Sequence, residues 1–152
     1  MCIRDRIKLV VTLLVAGLLL CACGTQSESK AMDSWATQSD FHANMKTLIA
    51  DVRHTATALD EPSSSVRVLH LVCDVLDFDA SAANSALPTP DAQSTSLLSR
   101  AYDDIDGGAH TCFRAGANAV LRRKALDYLQ KGLGELNEAM LRVDVAAGRS
   151  SP

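Results

Sequence analysis

The chain predicts an all-α fold, an antiparallel four-helix bundle of up-down-up-down order spanning residues 33–147. Apolar residues recur there in steps of three and four over four separate stretches, which is helical periodicity. The connections between the stretches are short, which sets consecutive helices antiparallel. No stretch shows the apolar/polar alternation of a half-buried strand.

The first helix starts at Asp33-Ser34, and its seam is Phe41, Met45, Leu48, Ile49, Val52, Ala56 and Leu59. Asp60-Glu61-Pro62 stops it, because proline has no amide donor and restricts the residue before it. Ser63-Ser64-Ser65 supplies a cap for the second helix, with Val66, Leu69, Cys73 and Leu76 as its seam. Periodicity fades from Asp77 to Thr89, so that helix is expected to end near Asp77. Thr89 as cap, with Pro90 in the first helical position, starts the third helix. Its seam is Leu98, Tyr102, Ile105, Ala109 and Cys112, and Gly107-Gly108 is a weak point where it can kink or break. Gly116 or Asn118 precedes the fourth helix. There Ala119, Leu126, Leu133 and Met140 stand seven apart and interleave with Leu129, Leu136 and Val143, an a/d stripe over three heptads. Residues 148–152 are expected to fray.

Ahead of the bundle, Leu9 to Leu20 is an uncharged apolar run preceded by Lys8, too short for a spanning helix and suited to a signal-peptide core. It ends in Leu20-Cys21-Ala22-Cys23-Gly24. That segment resembles the lipobox of bacterial lipoproteins: an aliphatic residue at −3, a small one at −1, then the cysteine whose thiolate takes the lipid. Leu20 and Ala22 fit those places around Cys23, whereas Cys21 would have bulky Leu20 at −1. The resemblance implies that residues 1–22 are removed, that Cys23 is lipidated, and that the protein sits on the extracytoplasmic side of a cell membrane or outer membrane. Residues 23–32 are small and polar in their first part and read as a flexible tether. Met1-Cys2-Ile3-Arg4-Asp5-Arg6 resembles the read-through translation of a transposase sequencing adapter, so Cys2 is assigned no role.

An exported domain with two further cysteines, Cys73 and Cys112, is expected to join them in a disulfide. Helical rise alone leaves the two at different heights; they meet if the chain from Asp77 to Pro88 is extended. This arrangement resembles other short two-cysteine helical lipoproteins of bacteria, a likeness that implies no particular activity. The alternative is a zinc or copper site made by His70, Cys73, His110 and Cys112. His110 and Cys112, two apart on a helix, point about 200° apart and could join one site only if Gly107-Gly108 breaks the helix. His42 and His54 are given no role.

Without residues 1–22 the chain carries 12 Lys+Arg against 17 Asp+Glu. That acidic balance argues against nucleic acid, which needs a basic stripe, and supplies no polybasic patch for anionic lipid. Trp35, Phe41, Phe78, Tyr102, Phe113 and Tyr128 are the only aromatics, too few for a stacking platform. No CxxCH, ExxH pair, HExxH, GxSxG or phosphate-binding glycine loop is present. Asp103-Asp104-Ile105-Asp106-Gly107 lacks the spacing of a calcium loop and reads as a solvated helix face. The expectation is a non-enzymatic envelope lipoprotein that docks another protein, with no catalytic residue, no cofactor, no metal and no small-molecule substrate. An exposed apolar patch would favour that reading over a ligand or metal carrier.

Overall fold

The computed structural model describes residues 27–149. Leu20, Cys21, Ala22 and Cys23 lie outside the described residues. Five helices and no strand occur among those described: α1 (residues 27–38), α2 (Phe41–Asp60), α3 (Val66–Asn84), α4 (Ala92–Ala115) and α5 (Ala119–Ala146). They form one helical bundle in which α2 packs on α3, α3 on α4, α4 on α5, and α5 on α2.

The single first helix expected from Asp33 to Leu59 is two helices. Asp40 adopts the left-handed conformation (φ 51°), and the chain turns at Ser39-Asp40. Both residues are weak helix formers whose side chains compete for backbone groups, and aspartate tolerates positive φ. The Ser39 hydroxyl donates to Trp35 O, and the Asn44 amide donates to Ser39 O. The turn folds α1 back so that Trp35 and Phe41 meet with ring centroids 5.3 Å apart. The expected tether 23–32 does not hold for its described part. Residues 27–32 are already helical, and Met32 and Ala36, four apart, are buried in the core.

Asp60-Glu61-Pro62 ends α2 as expected, with Glu61 extended. Ser65 caps α3 by accepting from Val68 N, and Leu69, Cys73 and Leu76 are buried in its seam. Val66, expected in that seam, is exposed instead. Nor does α3 stop near Asp77: Ala80 and Ala83 carry the buried seam on to Asn84. Alanine is the best helix former, and its small side chain registers weakly in a hydrophobic pattern.

Asp91, not Thr89, caps α4. Its carboxylate accepts from Ser94 N and from the Ser94 hydroxyl, both at 2.7 Å. Pro90 therefore precedes the cap, and Thr89 donates to Asp91 O. Leu98, Tyr102, Ile105, Ala109 and Cys112 are all buried, as the periodicity requires. Gly107-Gly108 neither breaks nor ends the helix. A Cβ on Gly108 would lie 2.5 Å from Leu129 Cδ2, so the glycine lets α4 approach α5 closely. Gly132 does the same from the other side: a Cβ there would fall 2.7 Å from Ile105 Cγ1 and 3.2 Å from Ala101 O. On α5, capped by Asn118, the buried line is Ala125, Leu129, Gly132, Leu136, Ala139 and Val143. Leu126, Leu133 and Met140 of the expected stripe are only partly buried, and Ala119 is exposed.

Side chains tie the elements together at both ends. Trp35 Nε1 donates to Ala86 O at 3.0 Å, and Arg142 makes a two-pronged pair with Asp91 at 2.7 and 3.0 Å. Arg122 donates to Gly116 O, Glu61 O and Ser64 O, stapling the α2–α3 turn to the start of α5. The expected fraying from Gly148 does not hold for the described part of the tail. Gly148 turns the chain at φ 73°, and Arg149 pairs with Asp33, Asp144 and His42.

The Cys73 and Cys112 sulfurs stand at disulfide distance, with Cα atoms 5.9 Å apart. Helical rise puts Asn84 about 17 Å along the axis from Cys73 and Ala92 about 30 Å from Cys112. Residues 85–91 cover the difference of roughly 13 Å; Ser85-Ala86 turn at the end of α3, so the extended connection expected from Asp77 is confined to the residues after them. No helix among the described residues is long and apolar enough to cross a membrane.

Candidate functional site

Two features lie on and beside α3. Its inward face is used up by Leu69, Val72, Cys73, Leu76, Ala80 and Ala83. The opposite face should then be polar. Instead Val68, Leu71, Val75 and Phe78 are exposed, Leu71 to 65% and Phe78 to 72%. Their spacing of three, four and three places them along one line of the helix, a second apolar seam with no helix of the described residues against it. Exposed apolar residues scattered singly are ordinary; four in register on one face form a continuous apolar patch. Arg67, Asp74 and Asp79 flank the line.

Between α3 and α4 runs a groove of about 330 Å³, lined by Cys73, Asp74, Asp77, His110, Phe113 and Arg114. The disulfide fixes the two helices beneath it. The four-residue group His70/Cys73/His110/Cys112 is not assembled as a metal site. The two sulfurs are bonded to each other, and His70 stacks on Phe113 with centroids 4.1 Å apart and planes 13° apart. His110 turns toward α3 instead. Its Nδ1 stands 3.3 Å from Asp106 Oδ2 on its own helix and 3.8 Å from Asp77 Oδ1 on α3. Asp77 and Asp106 were not singled out together by sequence, since they become neighbours only once the disulfide sets the register of α3 against α4.

The acidic run in α4 is solvated at Asp103, half-exposed at Asp106 and largely covered at Asp104. Asp104 takes the Lys131 ammonium at 2.9 Å and lies against Glu135 of α5, while Asp106 faces Asp77. With Asp51 against Asp79, three successive helix interfaces each set two carboxyl groups side by side. Burial, reinforced by the carboxylate neighbour, holds Asp51, Asp106 and Glu135 above their ordinary values. One buried oxygen of Asp51 and one of Glu135 has no hydrogen-bond partner. Asp91 is the opposite case: the hydrogen bonds from Arg142, helped by those from Ser94, hold it well below the carboxylate range despite partial burial.

The sign of the pH dependence follows. A raised folded pKa means the native state binds more protons than the unfolded chain, so stability increases as pH falls through those raised values. The gain is complete below the ordinary 3.8 to 4.5. The Asp91 contribution is present above its unfolded value and is lost as pH falls below it. The unfolding midpoint is therefore expected to rise from pH 7 into mildly acid conditions and to drop below about pH 4. Glu135→Gln together with Asp51→Asn should raise the midpoint at pH 7 and flatten the first limb. A midpoint falling steadily from pH 7 downward in the unsubstituted protein would contradict this.

No family model matches the chain, and no match was found among curated proteins or among solved structures.

Proposed function

We propose that this chain is an exported lipoprotein, held to a membrane through lipid on Cys23, that docks another envelope protein along the outer face of α3 and catalyses nothing. The observation that carries the docking reading is the exposed line Val68, Leu71, Val75 and Phe78 on a helix whose other face is fully packed. An amphipathic segment of a partner reads such a line through apolar anchors spaced three and four apart. The anchor rests on the lipobox resemblance of Leu20-Cys21-Ala22-Cys23 after a short apolar core.

In the same reading, α2 to α5 form an antiparallel bundle of up-down-up-down order, with α1 added across one end. Contacts at the two ends support it. Ala86 after α3 meets α1, and Asp91 before α4 meets Arg142 late in α5. At the other end Arg122, early in α5, holds Glu61 after α2 and Ser64 before α3.

The test places a photo-cross-linking residue at Leu71 or Phe78 and irradiates cells expressing the full chain. Both positions are expected to give one discrete adduct of the same mass, and Lys124 on α5 none. No adduct from either position, or the same adduct from Lys124, sinks the docking reading. Intact mass from the same membranes tests the anchor: a mature chain beginning at diacylated Cys23 is expected, and an unmodified Cys23 rejects it.

A further inference from the structure

We infer that Asp77, Asp106 and His110 form a binding site for one divalent first-row transition ion at the mouth of the α3–α4 groove. One ligand atom from each of the three lies within 4.8 Å of the others. Ligands held at 2.0–2.1 Å around a tetrahedral ion stand about 3.3 Å apart. The separations of His110 Nδ1 from the two carboxylates, 3.3 and 3.8 Å, need only a small closure to reach that value.

The surroundings of Nδ1 point the same way. It faces the Asp106 carbonyl at 3.1 Å as well as the two carboxylates, so three oxygen acceptors converge on one nitrogen. A proton on Nδ1 can serve one of them well. An ion in the position of that proton serves the imidazole and both carboxylates together and offsets their two negative charges. Among the described residues no Lys or Arg forms an ion pair with Asp77 or Asp106. The three side chains are 47%, 48% and 67% exposed, which leaves the outer coordination positions to water.

The donors are also held in place. Asp106 and His110 are one helical turn apart on α4, on the same face. Asp77 is one turn beyond Cys73 on α3, and Cys112 follows His110 by two residues, so the disulfide pins both halves of the site. An imidazole with two carboxylates suits Zn²⁺, Mn²⁺ or Co²⁺, whereas Ca²⁺ prefers an all-oxygen shell.

The experiment titrates ZnCl₂ into the full chain, stripped with chelator, with free thiols alkylated so that no cysteine outside the disulfide can bind. One equivalent is expected to bind by calorimetry and to raise the unfolding midpoint. His110→Ala, and separately Asp77→Asn with Asp106→Asn, should weaken binding by more than about tenfold, since loss of even an outer-shell partner of a ligand costs about that much. His54→Ala should leave it unchanged. Helical circular dichroism checks the fold of each variant, and all three positions are exposed enough for substitution. Absence of binding, or binding that survives both His110→Ala and the double aspartate variant, overturns the assignment. A result either way leaves the docking test along α3 independent, since Leu71 and Phe78 are not ligands.

Discussion

Replacing Cys73 and Cys112 together by alanine is expected to cost about 4 kcal/mol of stability, on the chain-entropy account of a loop this long. The two residues are 39 apart in sequence, and the bridge cross-links α3 to α4 in addition to the chain that connects them. Both cysteines are fully buried, so a reductant reaches them only when the bundle opens. The unsubstituted protein should therefore keep its unfolding midpoint in mild reductant under native conditions. It should unfold at the midpoint of the double variant once reduced in denaturant and returned to buffer. Chemical denaturation of the two proteins measures the difference. Equal stability would mean that native packing between α3 and α4 does without the bridge.

The second large effect lies between α4 and α5, the most extensive helix contact in the bundle. Gly132→Leu places its Cβ 2.7 Å from Ile105 Cγ1 and 3.2 Å from both Ala101 O and Ile105 N. Two of those atoms are backbone, so a rotamer change cannot clear the clash and the helices must separate. Overpacking of that kind is expected to cost about 2–3 kcal/mol. Gly134→Ala is the control. Nothing lies within 4 Å of the Cβ it would add, and it should stabilise by up to ~1 kcal/mol through helix propensity. Opposite signs two residues apart, read from denaturation curves, are the expected result. A neutral Gly132→Leu would show that α4 and α5 are not in close approach there.

The same glycines show what a hydrophobic pattern can and cannot reveal. Leu129, Leu136 and Val143 are legible because large aliphatic side chains at helical spacing have few other uses. The complementary line Ala125, Gly132 and Ala139 is not, since small residues count as weakly apolar although they allow the closest approach. The expected stripe on α5 accordingly falls one residue off, on Leu126, Leu133 and Met140. The extension of α3 through Ala80 and Ala83 is faint in the sequence for the same reason. The division of α1 from α2 depends on one backbone conformation at Asp40, which periodicity does not report, because Phe41 and Met45 stay in phase with the rest of α2.

At the site, the disulfide pairing of Cys73 with Cys112 was legible from cysteine number and expected export, and the structure brings the two together. Its expected route was not, since α3 runs on to Asn84. The exposed line on α3 was hidden in plain view. Val68, Leu71, Val75 and Phe78 stand beside the buried seam in sequence, and only burial distinguishes an inward from an outward apolar face. Asp77 met Asp106 and His110 only through tertiary register. No local spacing encodes that meeting.

In the proposed up-down-up-down order, with α1 across one end, a consequence follows for how the molecule would stand on a membrane. Four residue steps separate Cys23 from Ser27, the first described helical residue, and fully extended they reach about 14 Å. Arg149 clamps α1 through Asp33, so the leash does not lengthen by unwinding while that clamp holds. Under the proposed lipidation the α1 end is therefore moored at the headgroups, and the α2–α3 turn, stapled by Arg122, points outward. With α5 about 42 Å long, that outward tip would clear the bilayer by several nanometres. The two ends of the α3 seam would then sit at unequal altitude, Phe78 low and Val68 high. A partner rooted in the same membrane would engage this post from the bottom up.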